Sequence, residues 1–194
     1  MKMIFRFQPL KTIQAAAFVV DRYGGEMYGE KLAHILYLAD RQELLEKGSP
    51  LTGDLMANRS IGPVLETVYE CILLPRDAPS PLACPQWAAY LRRATEPSLN
   101  TFIEIKKDPG NSELSVFDTD VLTAISNTCV GLSPRHMARK MWRLPEWKDP
   151  SPNDAVRLEY QDVLKAGGVS PSTIAAYERL NEGIQSVAAI AVTL

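Results

Sequence analysis

Apolar residues recur along this chain mostly at the three- and four-residue spacing of amphipathic helices, and the densest apolar run lies between Leu32 and Ala39. Ile13, Ala16, Ala17 and Val20 predict a helix from Lys11 to about Arg22, stopped by Gly24-Gly25. A second helix opens at Glu26 or Tyr28 and shows almost no polar face until Asp40. A helix apolar on nearly every side must be surrounded by other elements, so this one is expected at the centre of the fold. Lys47-Gly48 ends it, Pro50 and Gly53 punctuate a loop, and Leu55 to Ser60 fits one short strand. Gly62-Pro63 then reads as a helix start, with Pro63 at the first helical position and Val64, Val68 and Ile72 as its apolar stripe.

Five prolines (Pro75, Pro79, Pro81, Pro85 and Pro97) mark residues 75 to 98 as an insertion or mobile loop, with one short helix over Gln86 to Arg93. Alternation in Thr101 to Ile105 and in Leu114 to Phe117, about the turn Asp108-Pro109-Gly110-Asn111, predicts a β-hairpin. Asp118 or Thr119 is expected to cap a helix carrying Val121 and Ile125 inward, and Ser133-Pro134 to open another that ends before Leu144-Pro145. Two last helices, about Pro152 to Lys165 and Ser172 to Val192, are divided by Gly167-Gly168. The expected fold is mainly α: one compact multi-helix domain over residues 1–194 around a buried central helix, with a small antiparallel β-hairpin or sheet.

Composition narrows the function classes. Hydrophobic residues make up 46% of the 194 and charged residues 23%, as in ordinary globular domains. A formal charge of -2 gives no overall pull toward nucleic acid, so DNA binding is not favoured. Gln8, Lys11 and Gln14 interrupt any signal-peptide core, and no run approaches the roughly 20 apolar residues of a membrane span. Three widely spaced cysteines, Cys71, Cys84 and Cys129, fit reduced thiols better than a disulfide framework, and the expected location is the cytoplasm.

The chemistry of the side chains does not announce an enzyme. His34 and His136 are the two histidines, and neither has a second histidine or a cysteine at helical spacing, so no metal or cofactor site is expected. Within the apolar helix, His34 reads as a core residue rather than a base. No nucleophile elbow or phosphate-binding glycine cluster occurs. Asp40, Arg41, Thr52, Gly53, Asp54 and Arg59 are the strongest polar candidates, and Asp and Gly in a turn commonly serve the backbone. They are expected to form a buried polar clamp. Arg135, Arg139 and Arg143 at four-residue spacing form a basic ridge, with Lys140 beside it and Glu146, Asp149 and Asp154 close enough in sequence to neutralise it. Trp142 and Trp147 are core aromatics if buried and interface anchors if exposed.

These residues carry a resemblance. Leu36-Tyr37-Leu38-Ala39-Asp40-Arg41, then Pro50-Leu51-Thr52-Gly53-Asp54, then Gly62-Pro63-Val64 resemble, in order and spacing, the Panacea domain, also described as the SocA-like antitoxin domain. Phe117 to Leu122, Leu132-Ser133 and Pro145-Glu146-Trp147-Lys148 are similar to its later segments, and Ile61 departs from the aromatic residue often found before the Gly-Pro pair. The resemblance implies a non-enzymatic antitoxin of a type II pair that neutralises a cognate toxin protein, encoded by the adjacent gene, by direct occlusion. Tyr37, Asp40, Arg41, Thr52, Gly53, Asp54, Gly62 and Pro63 are then its structural signature. The 75–98 segment and the 133–149 segment, with Arg135, Arg139, Arg143, Trp142 and Trp147, are the expected partner contacts. A DNA-binding autoregulator, a protease adaptor and, last, a small enzyme using Asp40, Asp54 or His34 are the alternatives, and a homo-oligomer is compatible with all of them.

Overall fold

The computed structural model describes residues 2–73, 84–94, 101–150 and 155–191. In chain order these form α1 (Pro9–Arg22), β1 (Glu26–Tyr28), α2 (Gly29–Lys47), β2 (Met56–Arg59), β3 (Gly62–Leu65), α3 (Glu66–Leu73), α4 (Trp87–Tyr90), β4 (Leu91–Arg93), β5 (Phe102–Ile105), α5 (Val116–Cys129), α6 (Pro134–Met141), β6 (Val156–Leu158), α7 (Tyr160–Ala166) and α8 (Pro171–Ala191). The strands make two three-stranded antiparallel sheets, ordered β1-β5-β4 and β3-β2-β6. Helices dominate, yet two sheets make the fold a mixture of α and β rather than the mainly α arrangement expected.

The helix α2 is buried from Leu32 to Asp40 without a break and packs against α1, α3, α5, α6 and α7. Ile35, Leu36 and Tyr37 lie at its centre with at most 1% of their surface exposed, and each such side chain contributes about 2 kcal/mol through removal of apolar area from water. Gly48 ends the helix in the left-handed conformation, and a Cβ there would run into the Tyr177 ring of α8.

Four local expectations are corrected. Gly62-Pro63 opens β3, not a helix: Ser60-Ile61 forms a two-residue turn between β2 and β3, and α3 begins only at Glu66. Proline is tolerated because β3 is an edge strand and Pro63 opposes Asn58 at the rung after the Arg59–Gly62 pair, where an antiparallel ladder needs no N–H. The turn at 108–111 does form, with Gly110 at φ +67° and its N–H bonded to the Asp108 carboxylate, but residues 114–117 do not return as a strand. β5 pairs instead with β4, the strand just before it in the chain, and with the more distant β1. Ser115 caps α5 through a reciprocal box with Asp118, which places the helix start three residues before the expected cap. Of the proline-rich segment, residues 84–94 hold α4 and β4 with Trp87 and Leu91 buried, so this part belongs to the core; residues 74–83 and 95–100 lie outside the described residues.

Where α1, α2 and α5 meet, a charged cluster is buried. Asp118 receives the Lys11 ammonium at 2.9 Å and the Lys47 ammonium at 3.4 Å, and Lys47 also meets Glu43 at 2.5 Å. Burial alone would push the Asp118 carboxyl up, but the Lys11 contact and the Ser115 N–H hold it well below the usual carboxylate range. Burial raises Glu43 to about 7, against the pull of Lys47. Its proton is therefore bound more tightly in the folded chain, so its stabilising share is full below about pH 4.5 and disappears as pH rises through about 7. Asp118 acts in the opposite sense and loses stability only as pH falls below its ordinary value of 3.8. Urea unfolding is expected to give greater stability at pH 5 than at pH 8 by on the order of 2 kcal/mol. Glu43→Gln should remove that residue's share of the slope and leave the share of the other buried carboxyls that burial raises, and stability that climbs from pH 5 to pH 8 would contradict the assignment.

Candidate functional site

Asp40, Thr52, Gly53 and Asp54 of the signature converge at the end of α2. Asp40 is fully buried, and its carboxylate accepts the Thr52 N–H at 2.9 Å and the Thr52 hydroxyl at 2.7 Å. The same hydroxyl oxygen accepts the Asp54 N–H at 3.1 Å. Asp54 then caps α3 from outside that helix, accepting the Thr67 N–H at 3.2 Å, the Val68 N–H at 3.1 Å and the Thr67 hydroxyl at 2.7 Å. A helix N-terminus leaves N–H groups without partners, and a carboxylate is the side chain best suited to them. Tyr160 of α7 donates to the Asp54 carbonyl at 2.7 Å, and the Gln8 N–H to the Thr52 carbonyl at 2.9 Å. Gly53, at φ +69°, is required because a Cβ would fall on the Arg6 carbonyl.

Burial pushes the Asp40 carboxyl well above its usual range and Asp54 to about 6, each against the pull of the hydrogen bonds it accepts. Burial likewise raises Tyr160, helped by the charges of Asp40 and Asp54. Perturbed carboxyls mark reaction centres as well as scaffolds. Here both carboxylates accept hydrogen bonds from the chain itself, Asp40 from Thr52 and Asp54 from Leu55, Thr67 and Val68. His34 is fully buried, and its ring makes no satisfactory hydrogen bond among the described residues; burial lowers it to about 4, so it is neutral at physiological pH.

Arg41 and Tyr37, one turn apart on α2, point elsewhere. The Arg41 guanidinium grips Glu146 with Nε at 2.6 Å and Nη2 at 3.2 Å, and the Tyr37 hydroxyl donates to the same carboxylate at 3.0 Å. Asn58 of β2 donates to the Glu146 carbonyl at 3.3 Å. Glu146 is 4% exposed. It was expected to neutralise the arginine ridge, but it turns inward and fastens the segment after α6 to the central helix. Nothing in sequence proximity distinguished the two directions; Pro145, which breaks the chain direction just before it, was the available signal.

Glu146 is thus withdrawn from the ridge, and Asp154, the last of the acids expected to neutralise it, lies outside the described residues. Ser133 caps α6, Met137, Ala138 and Met141 face inward, and Arg135 and Arg139 are exposed on the opposite face. Arg143 lies beyond the helix end, in the turn that follows, so the ridge is two helical arginines and one from a loop. None of the three makes an ion pair among the described residues. Lys140 differs, since its ammonium is tied to the Thr128 hydroxyl of α5 at 3.2 Å. Trp142, 43% exposed, donates its indole N–H to the Ser60 carbonyl at 3.0 Å, and its ring lies 6.1 Å from that of half-buried Trp147. The turn it grips is the one before Gly62, where a Cβ would strike Met141. Gly62 therefore allows α6 to seat on the hairpin, and through it the signature positions the ridge.

Removing the α3 cap by Asp54→Ala is expected to destabilise the fold by about 2–3 kcal/mol. Gly53→Ala should cost about 1–3 kcal/mol through strain at a left-handed residue. Arg139→Ala should stay within about 0.5 kcal/mol. Urea midpoints measured side by side test this ranking, and an Asp54→Ala protein as stable as Arg139→Ala would refute the capping role.

No curated protein and no solved structure matches the chain. Among the described residues no group of three or more His, Cys, Asp or Glu side chains is placed to hold a metal ion, and no helix is long and apolar enough to cross a membrane. A family model does match, over residues 32–148, more than half of the chain, and these limits run from the first turn of α2 through the hairpin and α6 to just past the Glu146 anchor. The match takes in the whole of the clamp from Asp40 to Val68: the chain belongs to the SocA-like antitoxin, Panacea domain, family, which gives it a toxin–antitoxin-related role.

Proposed function

We propose that this chain is the antitoxin of a type II pair, a single non-enzymatic domain acting in the cytoplasm that neutralises a cognate protein toxin by lying across its active site or substrate entrance. The observation that carries this reading is the exposed ridge of Arg135, Arg139 and Arg143, without an ion pair among the described residues, beside exposed Trp142. Arginine and tryptophan are the side chains most often found to dominate protein interfaces. Here they are borne by an element whose inner face is fixed by Met137 and Met141 and whose end is tied down by Trp142 and Glu146. Such a face loses little conformational freedom on binding. Charge complementarity makes the partner surface acidic. Stable inhibition needs an interface of at least about 1,000 Å², so the ridge would be the centre of a larger contact.

The same arginines support a second reading, a regulator that binds its own promoter. Counterion release would make that affinity fall steeply with salt.

Co-expression with the product of the adjacent gene tests the first reading. The intact chain should co-purify with that product and restore growth. Arg135→Glu, Arg139→Glu and Arg143→Glu combined with Trp142→Ala should abolish both, with an unfolding midpoint close to the parent. A neighbour that is harmless alone and fails to co-purify would sink the pairing. Salt-dependent binding of promoter DNA, lost in the same variant while toxin capture persists, would move the ridge to the second reading.

A further inference from the structure

Residues 2–8, the segment before α1, belong to neither sheet. Their side chains alternate: Met3 is buried and Phe5 and Phe7 pack half-buried on the core, while Lys2, Ile4 and Arg6 are exposed. Side chains from distant elements hold this segment. Asn181 of α8, itself buried, accepts the Ile4 N–H through Oδ1 at 3.1 Å and donates through Nδ2 to the Ile4 carbonyl at 2.8 Å. Gln185, one turn further, donates to the same carbonyl at 2.8 Å and to the Asn181 oxygen at 2.8 Å. The Phe5 ring meets the Tyr160 ring of α7 edge-on at 4.9 Å, and the Lys2 ammonium reaches Glu159, just before α7, at 3.0 Å.

A side-chain amide offers both a donor and an acceptor, so one Asn can match both backbone groups of an extended residue whatever its side chain. Backbone pairing of that kind supplies affinity for extended peptides, and sites for alternate side chains supply specificity. We propose that the face formed by α8 and the start of α7 is a docking seat for an extended segment of a partner protein with the pattern apolar-x-aromatic-x-aromatic, occupied in cis by residues 2–7 until that segment displaces them. The resident leaves apolar surface beside its own bonds uncovered. Leu180 and Ile184, each one residue before Asn181 and Gln185, are 64% and 66% exposed, and the Ile4 side chain is exposed as well. A partner segment that continues over them buries area that residues 2–7 leave in water, and so gains on the resident. The tether acts the other way, since it holds the resident at an effective concentration of roughly millimolar order. A short peptide in trans therefore competes poorly with an intact resident and well with a loosened one. This seat is separate from the arginine ridge and does not depend on its reading.

The probe is a fluorescein-labelled peptide of residues 2–8, titrated by anisotropy into the full-length chain and its variants. Met3→Glu puts a charge where a buried apolar side chain sits, and Ile4→Pro removes the N–H given to Asn181, so each loosens the resident. Both are expected to bind the peptide at least about tenfold more tightly than the parent does. Asn181→Ala added to either should remove that gain, and a peptide with proline in place of isoleucine should not bind. No binding to a loosened chain that still unfolds cooperatively, or binding that Asn181→Ala leaves unchanged, would overturn the proposal. So would failure of both loosened chains to fold, since residues 2–7 would then be part of the core and not a displaceable resident. A parent that dimerises with rising concentration, and no longer does so with Asn181→Ala, would give the seat to a second copy and overturn the partner reading.

Discussion

A carboxylate taken out of water loses several kcal/mol of hydration, and the interior must return it through charges or aimed hydrogen bonds. Five acidic side chains in this chain face that demand: Asp40, Glu43, Asp54, Asp118 and Glu146 are all almost wholly buried. Four of them join separate elements. Asp40 ties α2 to the following loop, Asp54 ties that loop to α3, Asp118 ties α5 to α1 and α2, and Glu146 ties the segment after α6 to α2. Apolar packing around α2 would tolerate some sliding of its neighbours. The carboxylates do not, because a shift of about an ångström leaves a buried charge without its donor.

The central helix was legible in the sequence because its apolar residues occupy every face, a pattern that suits only a helix enclosed by its neighbours. The clamp was legible for a related reason: Thr52-Gly53-Asp54 supplies a left-handed residue between two oxygen-bearing side chains, a combination suited to holding backbone. The short strands escaped notice. β1 is three residues long and is followed directly by α2, so its alternation is absorbed into the helix pattern. Pro63 reads locally as a helix opener, and its place in β3 depends on ladder parity, which only the pairing with β2 reveals. At Ser115 the box formed with Asp118 was written in the sequence, but alternation over Leu114 to Phe117 competed with it.

The candidate surface was half legible. Spacing placed Arg135 and Arg139 on one exposed face, but the charge expected to quench them belongs to the interior. Acidic and basic residues near each other in sequence pair only if the backbone lets them meet, and Pro145 turns Glu146 toward Tyr37 and Arg41 instead. Among the described residues the exposed cations are left without an ion pair, and the scaffold claims the nearest anion.

That division has a consequence for how such a fold can change partners. The buried carboxylates are fixed by their donors, so substitution there costs stability before it alters recognition. The ridge residues hold nothing in place: Arg135, Arg139 and Arg143 make no ion pair among the described residues, and their exposed side chains can be exchanged at little cost. Trp142 lies between the two regimes, bonded to the Ser60 carbonyl through its indole N–H while much of its ring remains exposed. A change there would loosen the seat of α6 and alter the surface together. Under the proposed reading of the ridge, the positions where a new partner could be accommodated without loss of the fold are the arginines, with Trp142 retained as the pin between scaffold and face.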